Sequence, residues 1–320
     1  MSRFIDPTTD FGFKKLFGEE ANKDLIISFI QDCLELSKPL KDIKFLDKEQ
    51  LPEWEEERAA IYDIFCESTD GSHFIVEMQK SRLKFMIDRL IYYSTFPIMA
   101  QAKKGTLEVI ENGQKKTVNW DYRLAPIYCI SILEFTLEEN GDCIKNHSLR
   151  NDKPPYKLWY DKLKYITIEL PLFDEKKPEY SLEKHINKWI YFLKELPDLK
   201  SIPGIFKGDI VFQKAFEVAE IAKYTPEERR LYERSLKRSR DSYAAIEYAE
   251  EKGKIEGKIE GKIEVAIAMF KENIDIGTIM KITGLSRIEI ARALLKENID
   301  IDTISKVTGL SIEEITKLKV

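Results

Sequence analysis

The chain has 320 residues and a formal net charge of −5, with 51 Lys and Arg against 56 Asp and Glu. It therefore carries no global basic signature for nucleic acid, and any such contact has to come from a local strip. A composition 43% hydrophobic and 33% charged describes a helix-rich globular protein, long enough for one sizeable core plus appendages.

No run approaches the ~20 apolar residues that a membrane helix needs, and Met1–Pro7 lacks the apolar stretch of a signal peptide. Cys33, Cys66, Cys129 and Cys143 are scattered, without C-x-x-C spacing. Free thiols in a reducing cytoplasm are the expectation.

In chain order, residues 10–37 read as two helical pieces. Asp10 is placed to cap the first, and Leu25, Ile26, Phe29, Ile30 and Leu34 form the apolar face of the second. Ile43–Leu46 is a short strand candidate, and an acidic stretch covers Glu53–Glu57. Two strands follow, Ile61–Glu67 and His73–Lys80, joined by Thr69-Asp70-Gly71. Strand side chains alternate, so Glu77 and Gln79 share a face. A two-residue Asp70-Gly71 loop sets Asp63 opposite Met78. A three-residue loop with Gly71 left-handed pairs Ser68 with Ser72 and brings Asp63 opposite Glu77. Opposed carboxylates repel. Either they are edge-strand and surface charges, or a divalent cation lies between them. Both faces of the hairpin are apolar, which points to a buried strand pair, where carboxylates need a cation or hydrogen-bond donors.

Downstream, the pattern predicts a helix over 82–103, kinked or split at Pro97. Asn112-Gly113 marks a hairpin between Thr106–Ile110 and Lys115–Trp120. Strands are predicted at Tyr128–Glu134 and Tyr165–Leu170, and a helix over 181–196. The sum is an α/β core, a mixed sheet with helices on its faces. Residues 213–250 read as a charged helical connector.

Gly253–Glu264 repeats the tetrapeptide Gly-Lys-Ile-Glu three times. At ~100° per residue this sets Ile in one stripe with Lys on one flank and Glu on the other. Each Gly costs ~1 kcal/mol against Ala, so the segment is a poor lone helix. It is either a flexible linker or one member of a parallel pair whose Lys flank meets the partner's Glu flank. Met269–Ile290 and Leu294–Ile315 then align with 15 of 22 positions identical. Each copy reads as helix, Thr-Gly-Leu-Ser turn, helix, with a capping box at Ser286/Glu289 and Ser311/Glu314. The form is that of a helix-turn-helix half. With eight Lys/Arg against eight Asp/Glu over 266–320, a packing or oligomerisation module is favoured over a DNA reader.

Asp63 followed by Glu77-Met78-Gln79 resembles the core of the PD-(D/E)xK nuclease superfamily, with Gln in place of the usual Lys and Tyr62 in place of the Pro. Asp6-Pro7-Thr8-Thr9-Asp10-Phe11-Gly12-Phe13-Lys14-Lys15-Leu16-Phe17-Gly18, the Arg89…Tyr92-Tyr93 helix and the Pro126–Leu133 strand are similar to the recombination-promoting nuclease / putative transposase branch. The resemblance covers about residues 4–200, plus a tail type common in that family.

It implies a PD-(D/E)xK restriction-endonuclease-like fold over 1–212, a connector with the repeats over 213–264, and tandem helix-turn-helix-like repeats over 265–320. It implies a metal-dependent DNA endonuclease in which Asp63 and Glu77 ligate Mg²⁺ (or Mn²⁺) and Gln79 orients water or a phosphate oxygen. Asp10 is the best additional acid, or an ordinary N-cap. Lys14, Lys15, Arg82 and Arg89 are candidates for phosphate contact, with solubilising charges as the plain alternative. DNA and a second copy of the chain, joined through the tail, are the expected partners. The alternative function is a non-catalytic DNA-binding or scaffold protein that keeps the nuclease fold. Three histidines with no short pairing argue against a His-based metal site or triad, and Gly257-Lys258 lacks the Ser/Thr of a phosphate loop.

Overall fold

Alternation along the strands sorts the core residues onto two faces of one sheet. The computed structural model describes residues 2–36, 39–47, 49–50, 60–111, 114–138 and 141–318. It opens with helices α1 (Asp10–Phe17) and α2 (Lys23–Leu34). Strands β1 (Ile43–Phe45), β2 (Glu49–Gln50), β3 (Ala60–Ile61), β4 (Ile64–Ser68) and β5 (His73–Gln79) follow. Next come helix α3 (Met86–Lys103) and the hairpin β6 (Thr106–Glu111) and β7 (Gln114–Asn119). Strands β8 (Ile127–Leu133), β9 (Ile144–Arg150) and β10 (Leu158–Glu169) complete the sheet. Helices α4 (His185–Glu195) and α5 (Ile210–Ala219) close the core.

Six strands pair in the order β1-β4-β5-β8-β10-β9. β5, β8 and β10 run parallel, while β1, β4 and β9 are antiparallel to their neighbours. This is the mixed sheet flanked by helices that the sequence implies. Ile64, Cys66, Phe74, Val76, Met78, Ile130, Ile132, Ile166 and Ile168 join the large core that α1, α2, α4 and α5 fill with Phe17, Phe29, Trp189 and Phe212. Phe65, Ile75, Ile127 and Cys129 face the other way, toward Tyr93 of α3. Because both faces are covered, the central strands carry almost no polar residues except where chemistry requires them.

Several elements differ from their sequence reading. α1 is capped by Thr9, whose hydroxyl accepts the Gly12 N–H, so Asp10 is the first helical residue and not the cap. Gly12 is dictated by crowding: a Cβ there would lie 2.1 Å from the Asp6 carbonyl oxygen. α3 begins at Met86, which leaves Arg82 outside the helix. It also runs through Pro97 unbroken. Proline supplies no N–H to the carbonyl four residues back, and that carbonyl, of Tyr93, accepts the Tyr62 hydroxyl at 2.9 Å instead. The edge strand β9 has no counterpart in the sequence reading. Its residues are largely polar and half-exposed, so it lacks the apolar run that marks a buried strand. β10 starts well before the expected Tyr165, in a stretch with two register shifts against β9. The β6/β7 register leaves a two-residue connection as expected, and Asn112-Gly113 itself lies outside the described residues.

Contacts divide the chain into two units, Met1–Arg240 and Asp241–Val320. The boundary falls within α6 (Pro226–Lys271), one helix that includes all three tetrapeptide repeats. In the second unit α7 (Ile276–Thr283), α8 (Arg287–Lys296), α9 (Ile301–Thr308) and α10 (Ile312–Thr316) follow. Both expected capping boxes form, and Gly284 and Gly309 end α7 and α9 in the left-handed conformation. Ile279, Ile290, Ile304 and Ile315 are buried within this unit, so the duplicated segment makes its own small core. Among the described residues no helix is long and apolar enough to cross a membrane.

His185, at the start of α4, bridges Asp32 of α2 through Nδ1 and Asp209, the N-cap of α5, through Nε2 at 3.0 Å. The hydrogen bond to Asp32 and the charges of both aspartates raise its pKa, against an opposing effect of burial. A raised histidine pKa stabilises the fold below the ordinary value near 6.5 and loses that contribution as pH rises through the folded value. His185→Gln is therefore expected to lower the unfolding free energy more at pH 6 than at pH 9, as measured by urea unfolding at the two pH values.

Candidate active site

The β4–β5 turn fixes the geometry of the acidic pair. Ser68 N–H donates to Ser72 O at 2.9 Å, and Gly71 takes φ +86°. Ile64 pairs with Val76, Phe65 with Ile75 and Cys66 with Phe74. Continued by one residue, that register puts Asp63 opposite Glu77, on the face covered by α3. The contacts agree: Asp63 N–H donates to Glu77 Oε1 at 3.2 Å, and Met78 N–H donates to Asp63 Oδ2 at 2.9 Å. Gln79 Nε2 donates to Glu77 Oε2 at 3.1 Å. Asp63, Glu77 and Gln79 thus form one connected group.

Glu77 is only 2% exposed. Burial, and next the charge of Asp63, push its carboxyl up to about 8, against the opposing effects of the Asp63 N–H, Arg89 and the Gln79 amide. Arg89 is the cation acting on Glu77 from α3. Its guanidinium lies 4.5 Å from the centroid of the Tyr93 ring, and Tyr93 in turn packs edge-on against Tyr62 at 5.4 Å. Tyr62, in the position of the superfamily proline, therefore ties α3 to the residue preceding Asp63.

The remaining candidates are engaged with other partners. Asp10 is exposed and ion-paired with Lys14. Lys15 is engaged by Glu228 at 2.7 Å and Glu19 at 3.0 Å. Arg82 donates to the Leu137 carbonyl at 3.3 Å on the surface. A second polar cluster at the C-terminal end of β5 was not singled out from the sequence. Lys80 Nζ lies 2.9 Å from Asp6 Oδ2 and 3.5 Å from Glu134 Oε2, and Asp6 Oδ1 accepts the Thr8 N–H at 2.9 Å. The signal was available: strand alternation sends Lys80 to the face opposite Gln79, where the Asp6 segment packs.

Among the described residues no group of three or more His, Cys, Asp or Glu side chains is arranged to hold a metal. The pair Asp63 and Glu77 suits Mg²⁺ or Mn²⁺ on different grounds. Mg²⁺ takes one or two carboxylates and fills its remaining positions with water and phosphate oxygens. A buried carboxyl whose ionisation is opposed by its neighbour is also relieved by a divalent charge. The all-oxygen donor set suits a hard divalent cation.

The family model described as PD-(D/E)XK nuclease family transposase matches residues 7–249. A second, described as the Rpn/YhgA-like nuclease family C-terminal HTH domain, matches residues 287–320. No curated protein and no solved structure matches the chain.

An acid whose folded pKa lies above its unfolded value holds its proton better in the folded state. Its effect on stability is most favourable below the unfolded value near 4.5 and worsens as pH rises toward 8. In EDTA, Glu77→Gln is expected to melt above wild type at pH 8.5, with the gap closing as pH falls to 5. Calorimetric melts across that range check the sign.

Proposed function

The chain belongs to the PD-(D/E)XK nuclease family transposases, and on that premise we propose that it is a metal-dependent DNA endonuclease with little sequence specificity, acting in recombination or transposition. The observation that carries the reading is the cross-strand placement of Asp63 against Glu77, with Gln79 bonded to Glu77, inside the matched region. Asp63 and Glu77 would hold Mg²⁺ or Mn²⁺, and the chemistry it supplies when bound is activation of a water and neutralisation of charge on the leaving oxygen.

The protein's own contribution is positioning. Met78 N–H orients Asp63, while Asp63 N–H and the Gln79 amide each hold one oxygen of Glu77. Gln79 brings no positive charge. Arg89, stacked on Tyr93 and acting electrostatically on Glu77, is the cation placed to meet a scissile phosphate, as guanidinium groups do well. Lys14 and Lys15 already have carboxylate partners, which makes them secondary candidates, together with Arg82 and Asp10. Purified protein is expected to nick plasmid DNA with Mg²⁺ or Mn²⁺ and to stop in EDTA, and Asp63→Ala to lose at least about 100-fold in rate, the scale on which catalytic groups act. Metal-independent DNA binding without cleavage would favour the scaffold alternative.

The tail is proposed to bind a second copy of the chain. In α6, Ile255 and Ile259 are 54% and 42% exposed. The Lys and Glu flanks beside them complement each other only in a parallel pair, since an antiparallel pair sets like charges together. Full-length protein is expected to scatter light as a dimer, and the double change Ile255→Asp and Ile259→Asp to give monomers. The C-terminal HTH match over residues 287–320 supports DNA contact as a second role of the tail, beside the packing role that its balanced charge favours.

A further inference from the structure

β8 is an apolar strand, Ile-Tyr-Cys-Ile-Ser-Ile-Leu, and its one serine calls for an explanation. Ser131 is completely buried, and its Oγ has no hydrogen-bond partner. A buried hydroxyl left unpaired is destabilising, so stability alone favours an aliphatic side chain here. Such groups are rare in folded proteins and frequently mark function.

The sheet register says what Ser131 faces. In the parallel β5–β8 pair it lies directly opposite Glu77, and in the parallel β8–β10 pair directly opposite Thr167. All three side chains emerge on the α3 face. Thr167 is already served, because its Oγ1 lies 3.1 Å from His147 Nε2 on β9. Glu77, on the other side, has each carboxylate oxygen accepting a single bond, Oε1 from the Asp63 N–H and Oε2 from the Gln79 amide. A carboxylate oxygen accepts two. The unused donor therefore lies beside the neighbour with unused acceptor capacity.

We propose that Ser131 is a positioning residue of the Asp63/Glu77 site, its hydroxyl turning to donate to the Glu77 carboxylate, directly or through one water, when a divalent cation binds, and so fixing the carboxylate there. The inference rests on the nuclease reading above and adds to it a residue outside the acidic motif. Groups that orient a metal ligand typically change metal affinity by 10–100-fold when removed.

The test is Ser131→Ala in the full-length protein, with two readouts that do not depend on cleavage. Melting in EDTA is expected to be unchanged or higher than wild type, because an unpaired hydroxyl is removed. Calorimetric titration with Mn²⁺ is expected to show affinity weaker by about tenfold or more. Unchanged Mn²⁺ affinity in the variant, with normal binding by wild type, overturns this inference alone. A clear drop in melting temperature in EDTA also overturns it, since the hydroxyl would then serve the metal-free fold. No Mn²⁺ binding by wild type overturns the nuclease reading and this inference with it.

Discussion

A single left-handed glycine governs the site. Gly71 at φ +86° lets the β4–β5 connection close over three residues. That length places the side chains of Asp63 and Glu77 on the same face of the sheet. A connection one residue shorter would move Asp63 opposite Met78 and turn its carboxylate toward the aromatic core. The register brings together two acids that repel, one of them buried. The hairpin can hold them because its backbone amides and the Gln79 side chain bind their oxygens and α3 brings a guanidinium nearby.

That helix is joined to the hairpin by compensation between two departures from simple rules. Pro97 removes a hydrogen bond inside α3, and Tyr62 occupies the superfamily proline position. The Tyr62 hydroxyl satisfies the carbonyl that Pro97 leaves open. The tyrosine is buried, and this bond spares its hydroxyl the cost of burial without a partner. The same ring supports Tyr93, and Tyr93 supports Arg89. The positive charge that acts on Glu77 thus comes from Arg89 on the covering helix, while Gln79 on the strand is neutral.

The opposite face of the sheet is dominated by apolar packing. Trp189, Phe17, Phe29, Phe192 and Phe212 pack there in edge-on and tilted pairs, and its polar ties, such as Lys80 with Asp6 and Glu134, fasten segments to one another. Asp10 and Lys15 belong to this kind of fastening as well, paired near the α1 surface. Rigidity on one face supports a site of fixed geometry on the other.

Local chemistry made much of this legible in the sequence. Strand alternation and apolar runs on both faces gave the hairpin and the shared face of Glu77 and Gln79, and narrowed the register to two turn lengths, of which the structure takes the three-residue one. Capping boxes and glycine stops likewise marked the helices of the tail. What only the tertiary structure decided involves partners far apart in the chain. The polar edge strand β9 is a strand because β10 offers it a ladder, not because of its own propensity. Ser131 in an isoleucine strand, and Arg89 on a helix, acquire a relation to Glu77 only when β8 and α3 are laid against β5, a placement fixed by burial of both sheet faces and invisible to any local pattern.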